Sequence, residues 1–244
     1  MKVGIDLGSR AVKIAIKNKD QFITHIFDTV TFYRNLSNNR IDFLKRIGLD
    51  KKHFITSTGY GRYQMPFKDT RVISEIIAHV KGAVYQTGLK NFVLLDIGGQ
   101  DTKTVLVENS RPLDFKTNDK CAASTGRFIE NMSQVLEMTP QEVGLFYKNP
   151  VPISSTCAIF AESEIVGLIS EGVKLSNIAA GINYSIFNRI KPLLNAFNPK
   201  TVVFAGGVAG FPALSKIIEK EMKVKIVIPE FYQLNAAIGC AVHE

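Results

Sequence analysis

Twice in this chain an apolar run ends on Asp-Xaa-Gly, passes a short polar turn and returns as a second run. Val3-Gly-Ile-Asp-Leu-Gly-Ser9 is followed by Val12, Ile14 and Ile16 at period two. Phe92-Val-Leu-Leu-Asp-Ile-Gly-Gly-Gln-Asp101 is followed by the run Thr102 to Val107. Alternation of this kind builds one packed face of a pleated strand, so each copy reads as a hairpin. A third run, Val202-Val-Phe-Ala-Gly-Gly207, has the composition of a buried strand and also stops on glycine. Helical spacing fills the intervals: near 41–47, through Val72, Ile73, Ile76, Ile77 and Val80, from Ser124 to Glu137, from about Asn177 to Phe197, and in the run 235–242. Thr139-Pro140-Gln141-Glu142 reads as a helix start, with Thr as N-cap, Pro at the first helical position and Glu at the third. A strand is expected at 54–58 and a further helix beginning near Cys157. The repeat therefore predicts an α/β protein of two similar lobes. The first covers 1–88 and is completed by a C-terminal helix at about 230–244; the second covers 89–229. With 244 residues, 45% of them hydrophobic, the chain is large enough for two small cores.

Charge and composition narrow the function. The net charge is +8, but the basic residues are dispersed, with no block interleaved with aromatics, so no nucleic-acid partner is expected. No stretch approaches the roughly 18 apolar residues of a membrane span, and the chain enters its first strand without a leader. The expectation is a cytoplasmic protein with no membrane partner. The dispersed positive charge also suits an acidic protein partner.

The turns carry the first chemistry. Glycine lets the backbone approach a ligand closely, and consecutive amides in a turn form an anion-binding nest. Gly8 and Ser9 in the first turn, and Gly98 and Gly99 in the second, are candidate phosphate holders. Asp6 and Asp96 stand at the strand ends just before them, where carboxylates suit Mg²⁺ held partly through water. Arg10 lies in the first turn, placed either on phosphate or toward solvent. Neither turn is a Walker loop or a dinucleotide fingerprint.

The cysteines carry the second. An odd number in such a chain argues against a disulfide framework. Cys240 sits in an apolar helical run and reads as a buried hydrophobe. Cys121 and Cys157 instead precede helix starts among Ser, Thr and Asp, where a helix N-terminus favours thiolate. Two thiolates cannot complete a four-cysteine site, but two copies of the chain can, around a two-fold axis. A shared [4Fe–4S] cluster satisfies this count, and so does zinc. The four histidines show no metal-binding spacing.

Gly4-Ile-Asp-Leu-Gly-Ser9, Leu95-Asp-Ile-Gly-Gly-Gln-Asp101 and Phe204-Ala-Gly-Gly207 resemble the two phosphate motifs and the adenosine motif of the acetate/sugar-kinase, heat-shock ATPase and actin superfamily. That resemblance implies an actin-like ATPase fold, two ribonuclease-H-like lobes with Mg-ATP in the cleft, and Gly206 and Gly207 bordering adenosine. Arg10 departs from the Thr that many members carry. Asp119-Lys-Cys-Ala-Ala-Ser-Thr-Gly-Arg-Phe128 and Cys157-Ala-Ile-Phe-Ala-Glu-Ser-Glu164 look like the cluster motifs of the activators of 2-hydroxyacyl-CoA dehydratases and the ATPase subunits of benzoyl-CoA reductase. Thr58-Gly-Tyr-Gly-Arg62 and Ser74-Glu-Ile-Ile-Ala-His-Val-Lys-Gly-Ala83 match the same family, whose members more often have Gly at Ser124. The resemblance covers essentially the whole chain. It implies a homodimer with one [4Fe–4S] cluster on Cys121 and Cys157 of each chain. It further implies ferredoxin or flavodoxin as electron donor, and an acceptor iron–sulfur enzyme such as a dehydratase or a double-cubane-cluster protein. Gln100 and Asp101 are the candidates to position the attacking water. The alternatives are a sugar or amino-sugar kinase of the same fold, which leaves the cysteines unexplained, and a nucleotide sensor that does not turn over.

Overall fold

The computed structural model describes all residues except 20, 39, 50–52, 65–68, 119–124, 155, 156 and 244. Its chain divides into two compact units. One comprises Met1–Lys90, Val107–Pro112 and Pro229–Glu244, the other Asn91–Leu106 and Leu113–Ile228.

The first unit is built on a five-stranded sheet in the order β3-β2-β1-β4-β5. Its strands are β1 (Lys2–Leu7), β2 (Ala11–Asn18), β3 (Gln21–Asp28), β4 (Phe54–Thr58) and β5 (Arg71–Val72). The first three pair antiparallel, and β4 runs parallel to β1. The pleat sorts β1 by parity. Val3, Ile5 and Leu7 join a core with Phe32 and Phe43, from helices α1 (Thr29–Asn38) and α2 (Arg40–Arg46). The alternate residue Gly4 lies against α9 (Asn235–Ala241), where a Cβ would come within 1.8 Å of the Ala237 carbonyl. Helix α3 (Glu75–Thr87) packs on α9 and is capped by the Ser74 hydroxyl, which accepts from the Ile77 amide at 3.3 Å. The helix thus starts after Val72 and Ile73 rather than at them, because Val72 is spent in β5 and Ser74 holds an extended N-cap conformation.

The second unit repeats the plan. Its sheet is formed by β6 (Phe92–Ile97), β7 (Thr102–Glu108), β8 (Arg111–Thr117), β9 (Thr201–Ala205) and β10 (Lys225–Val227), with Val107–Pro112 at the β7–β8 turn grouped with the first unit. They lie in the order β10-β9-β6-β7-β8, which is the first sheet's order when β6 is matched to β1. β9 runs parallel to β6 as β4 does to β1. Asn109 and Ser110, both at positive φ, make the two-residue turn between β7 and β8. The helices are α4 (Gly126–Val135), α5 (Pro140–Val143), α6 (Ala158–Ser170), α7 (Leu175–Asn195) and α8 (Pro212–Met222). Thr139 forms the expected capping box with Glu142 at the start of α5. Fully buried Phe128, Phe187 and Phe204 anchor the interior of this unit. No helix among the described residues is long and apolar enough to cross a membrane.

Candidate functional site

In the first unit β1 carries Asp6 to its C-terminal end, in register with Lys13 of β2 and Thr58 of β4. Asp6 is 4% exposed, and the Lys13 ammonium lies 3.1 Å from its Oδ2. Gly59 follows Thr58 at φ +90°, and a Cβ there would fall 2.7 Å from Asp6 Oδ1. Only glycine combines that backbone angle with room for the carboxylate. The Gly61 amide donates to the Leu7 carbonyl at 2.9 Å, and Thr58 Oγ1 to the Ile73 carbonyl at 3.1 Å, so the β4 loop is fixed beside Asp6. The Gly8 carbonyl accepts from Thr29 Oγ1 at 2.8 Å, which ties the turn to α1. Ser9 and Arg10 are exposed on the turn, and Arg10 Nη1 meets Asp28 Oδ2 at 3.1 Å. The Thr31 amide, with Arg10 nearby, holds the Asp28 carboxyl below its ordinary pKa.

The second unit repeats the device. Asp96, 4% exposed, ends β6 in register with Ala205 of β9. Gly206 follows at φ +89°, where a Cβ would stand 2.6 Å from Asp96 Oδ1. The Gly98 amide donates to the Asp101 carbonyl at 2.9 Å, closing the turn Gly98-Gly99-Gln100-Asp101. Gln100 and Asp101 are exposed, and the Lys103 ammonium sits on the Asp101 carboxylate. Gly207 is exposed at the start of a 3₁₀ turn, Gly207–Gly210. Thus Asp6, Gly8, Ser9 and Arg10 share one turn of the first unit. Asp96, Gly98, Gly99, Gln100, Asp101, Gly206 and Gly207 gather at one end of the second sheet.

The structure adds three residues that the sequence reading passed over. Gly59 guards Asp6 as Gly206 guards Asp96. Lys13 and Lys103 sit at matching places on the returning strands, each largely buried and each on a carboxylate. The available signal was the repeat itself: Lys13 follows Asp6 by the same interval as Lys103 follows Asp96.

Of the candidate metal ligands, Cys121 and its neighbour Ser124 lie outside the described residues. Cys157 is the N-cap of the 13-residue α6, extended at φ −96°, ψ 140°, and its side chain makes no capping bond. Its carbonyl accepts from the Ala161 amide at 2.9 Å. The thiol is only partly buried, with the exposed side chains Ile159 and Phe160 next to it in the chain. Upstream of Cys157, the segment 151–154 is held at both ends. Ser154 donates its amide and hydroxyl to Glu164 Oε1 at 2.8 and 2.9 Å, and the Val151 amide donates to the Asn177 carbonyl at 3.2 Å. A reachable thiol at a helix N-terminus, not used as a cap, fits thiolate ligation of a metal centre. Cys240 does not. It is 1% exposed, and burial pushes its thiol pKa well above the ordinary value, with the Asp6 charge adding to the effect.

Comparison with known proteins finds relatives that match nearly the whole chain. The (R)-2-hydroxyglutaryl-CoA dehydratase activating ATPase of Acidaminococcus fermentans is 35% identical over 249 residues, covering 99% of this chain and 95% of that protein. The crystal structure of component A of the Acidaminococcus fermentans (R)-2-hydroxyglutaryl-CoA dehydratase superposes with a TM-score of 0.87 at 34% identity, over 98% of this chain and 95% of that one. The activator of the 2-hydroxyisocaproyl-CoA dehydratase from Clostridium difficile, solved with bound ADPNP, superposes with a TM-score of 0.85 at 33% identity, over 98% and 92% of the two chains. The two mixed α/β sheets are therefore those of an actin-like ATPase fold. Residues 3–243 match the BadF/BadG/BcrA/BcrD ATPase family, and the chain belongs to it.

Proposed function

We propose that this ATPase activates a partner enzyme by ATP-dependent electron delivery, as a homodimer whose two chains share one [4Fe–4S] cluster. The observation that carries the reading is Cys157, an accessible thiol at the start of a long helix, on a chain whose relatives are named as dehydratase activators. Cys121 and Cys157 of each chain would be the four ligands. When bound, the cluster would supply one-electron transfer at low potential. The acceptor would be an iron–sulfur enzyme of the 2-hydroxyacyl-CoA dehydratase or double-cubane-cluster kind, and the donor a ferredoxin or flavodoxin.

The chain's own residues bind and turn over nucleotide. Asp6 and Asp96 would hold Mg²⁺ or its waters, and the Lys13 ammonium, 3.1 Å from Asp6 Oδ2, fixes that carboxylate in place. The amides of Gly8 and Ser9, and of Gly98 and Gly99, would take phosphate oxygens, with Arg10 at the edge of the first turn. Gln100 and Asp101 would orient the attacking water, and Gly206 and Gly207 would border adenosine. Nucleotide drives a conformational change only by binding two states with different affinity. In this proposal the difference is expressed at the helices that start beside the cysteines.

The test is substitution of the ligands. Cys121→Ser and Cys157→Ser should each empty the shared site of iron, because a symmetric site loses two of its four ligands at once. ATP hydrolysis should persist at least in part. Iron retained at wild-type level in both variants would remove these cysteines as the ligands, and stoichiometric zinc in place of iron in the anaerobically purified wild type would favour a sugar or amino-sugar kinase instead.

A further inference from the structure

The second phosphate turn is capped onto a helix. The first amides of any α-helix lack partners within it. In α4 those of Gly126 and Arg127 donate to the carbonyls of Gly98 and Gly99, at 2.9 and 3.0 Å. Thr125 is the N-cap of α4, yet its side chain makes no capping bond to its own helix. Fully buried, it donates its hydroxyl to the Gly99 carbonyl at 3.0 Å. Gly126 leaves little slack, since a Cβ there would meet the Gly98 carbonyl at 3.2 Å and Val208 Cγ2 at 3.5 Å.

A peptide unit is planar and trans, so its carbonyl and amide point in opposite directions and turn together. The Gly98 carbonyl shares its plane with the Gly99 amide, and the Gly99 carbonyl with the Gln100 amide. With both carbonyls on the start of α4, both amides face away from the helix. Any rotation of those planes that brings the amides onto a phosphate moves the carbonyls that hold α4. We propose that Thr125, with the Gly126 and Arg127 amides, is the joint that passes nucleotide state from the Gly98–Gly99 turn to α4, the helix that follows Cys121 in the chain. Thr125 acts here as a positioning residue, and the joint rests on the electron-delivery reading above only for its purpose.

Hydrogen–deuterium exchange on the intact wild-type protein, with and without Mg²⁺ and a non-hydrolysable ATP analogue, tests the joint whether or not a cluster is loaded. The peptide spanning residues 125–132 should change its exchange by severalfold on nucleotide addition; an unchanged peptide overturns the proposal. Thr125→Val should bind the analogue within about tenfold of wild type yet lose most of that change, and Thr125→Ser, which keeps the hydroxyl, should restore it. A Val variant that retains the full change, or that loses nucleotide binding outright, overturns the proposal, the second because Thr125 would then belong to the phosphate site itself. If Thr125→Val does not fold, the wild-type exchange still decides. In cluster-loaded protein reduced by one electron with dithionite, the electron paramagnetic resonance signal should shift with nucleotide in wild type and Thr125→Ser but not in Thr125→Val. Absence of iron with the exchange change intact would sink the electron-delivery reading and leave the joint standing; iron present with no exchange change would do the reverse.

Discussion

Asp6 and Asp96 are each nearly buried, each near a strand end, and each faced by a glycine at positive φ just past the neighbouring parallel strand. Such a carboxylate is costly unless it has a partner, and for Asp6 that partner is Lys13. Asp6→Ala and Asp96→Ala should abolish Mg-ATP turnover while leaving folded protein by circular dichroism; turnover near the wild-type rate in both would remove the phosphate-site assignment. Lys13→Met should lower stability by about 3 kcal/mol, because it leaves a buried carboxylate unpaired, and chemical denaturation would show it. An unchanged denaturation midpoint would mean that Lys13 does not hold Asp6. Cys240 gives a third prediction. With its pKa pushed up by burial, it should resist iodoacetamide in the folded metal-free protein at pH 8 while Cys157 reacts. Rapid labelling of Cys240 would contradict the burial described here. At this scale the sequence showed the two Asp turns and the separate character of Cys240, because both lie in local patterns. Gly59 and Lys13 escaped because their significance is a contact with Asp6 on another strand, which strand register creates; Lys103, whose contact with Asp101 is local, was legible only through the repeat.

Among the elements, α3 and α9 make the tightest contact at a helix crossing. A Cβ on Gly239 would come within 1.8 Å of the Ala78 carbonyl, and one on Gly82 within 1.9 Å of the Asn235 carbonyl. Asn235 is fully buried. Its Nδ2 donates to the His79 carbonyl at 2.9 Å and its Oδ1 accepts from Gln86 Nε2 at 2.9 Å, while the Phe231 amide donates to Gln86 Oε1 at 2.9 Å. Gly239→Ala should therefore force the helix backbones apart and cost about 3 kcal/mol, the upper end of overpacking penalties. The melting temperature would report it, and an unchanged value would show that the crossing has more room than described. The elements legible in advance included those with strong periodicity, the β1–β2 pair, β4, the β6–β7 pair, β9, α2, α4, α7 and α9, together with the start of α6 and the α5 capping box. Three of those missed, β8, β3 and α1, share a cause. β8 is exposed along its whole length, so burial imposes no alternation on it, and its charged residues read as loop. β3 is only partly buried, and α1 buries Phe32 alone, so neither writes a clear pattern. The start of α3 was placed too early because the apolar residues Val72 and Ile73 prolong the helical spacing beyond Ser74, where the backbone leaves it.

For the whole molecule the central claim concerns assembly as much as chemistry. The sequence repeat and the two sheets of like strand order agree that one plan is used twice. The family match over residues 3–243 places that plan among ATPases. The proposed sharing of one cluster between two chains rests on two candidate thiols per chain in the sequence, Cys121 and Cys157, which is a count of ligands and not of contacts. Anaerobic purification followed by native mass spectrometry, with iron, sulfide and zinc determined on the same sample, tests it most directly. The account predicts a dimer carrying about four irons and four sulfides, two of each per chain. A monomer holding a complete cluster of its own, or a dimer with stoichiometric zinc and no sulfide, would contradict it.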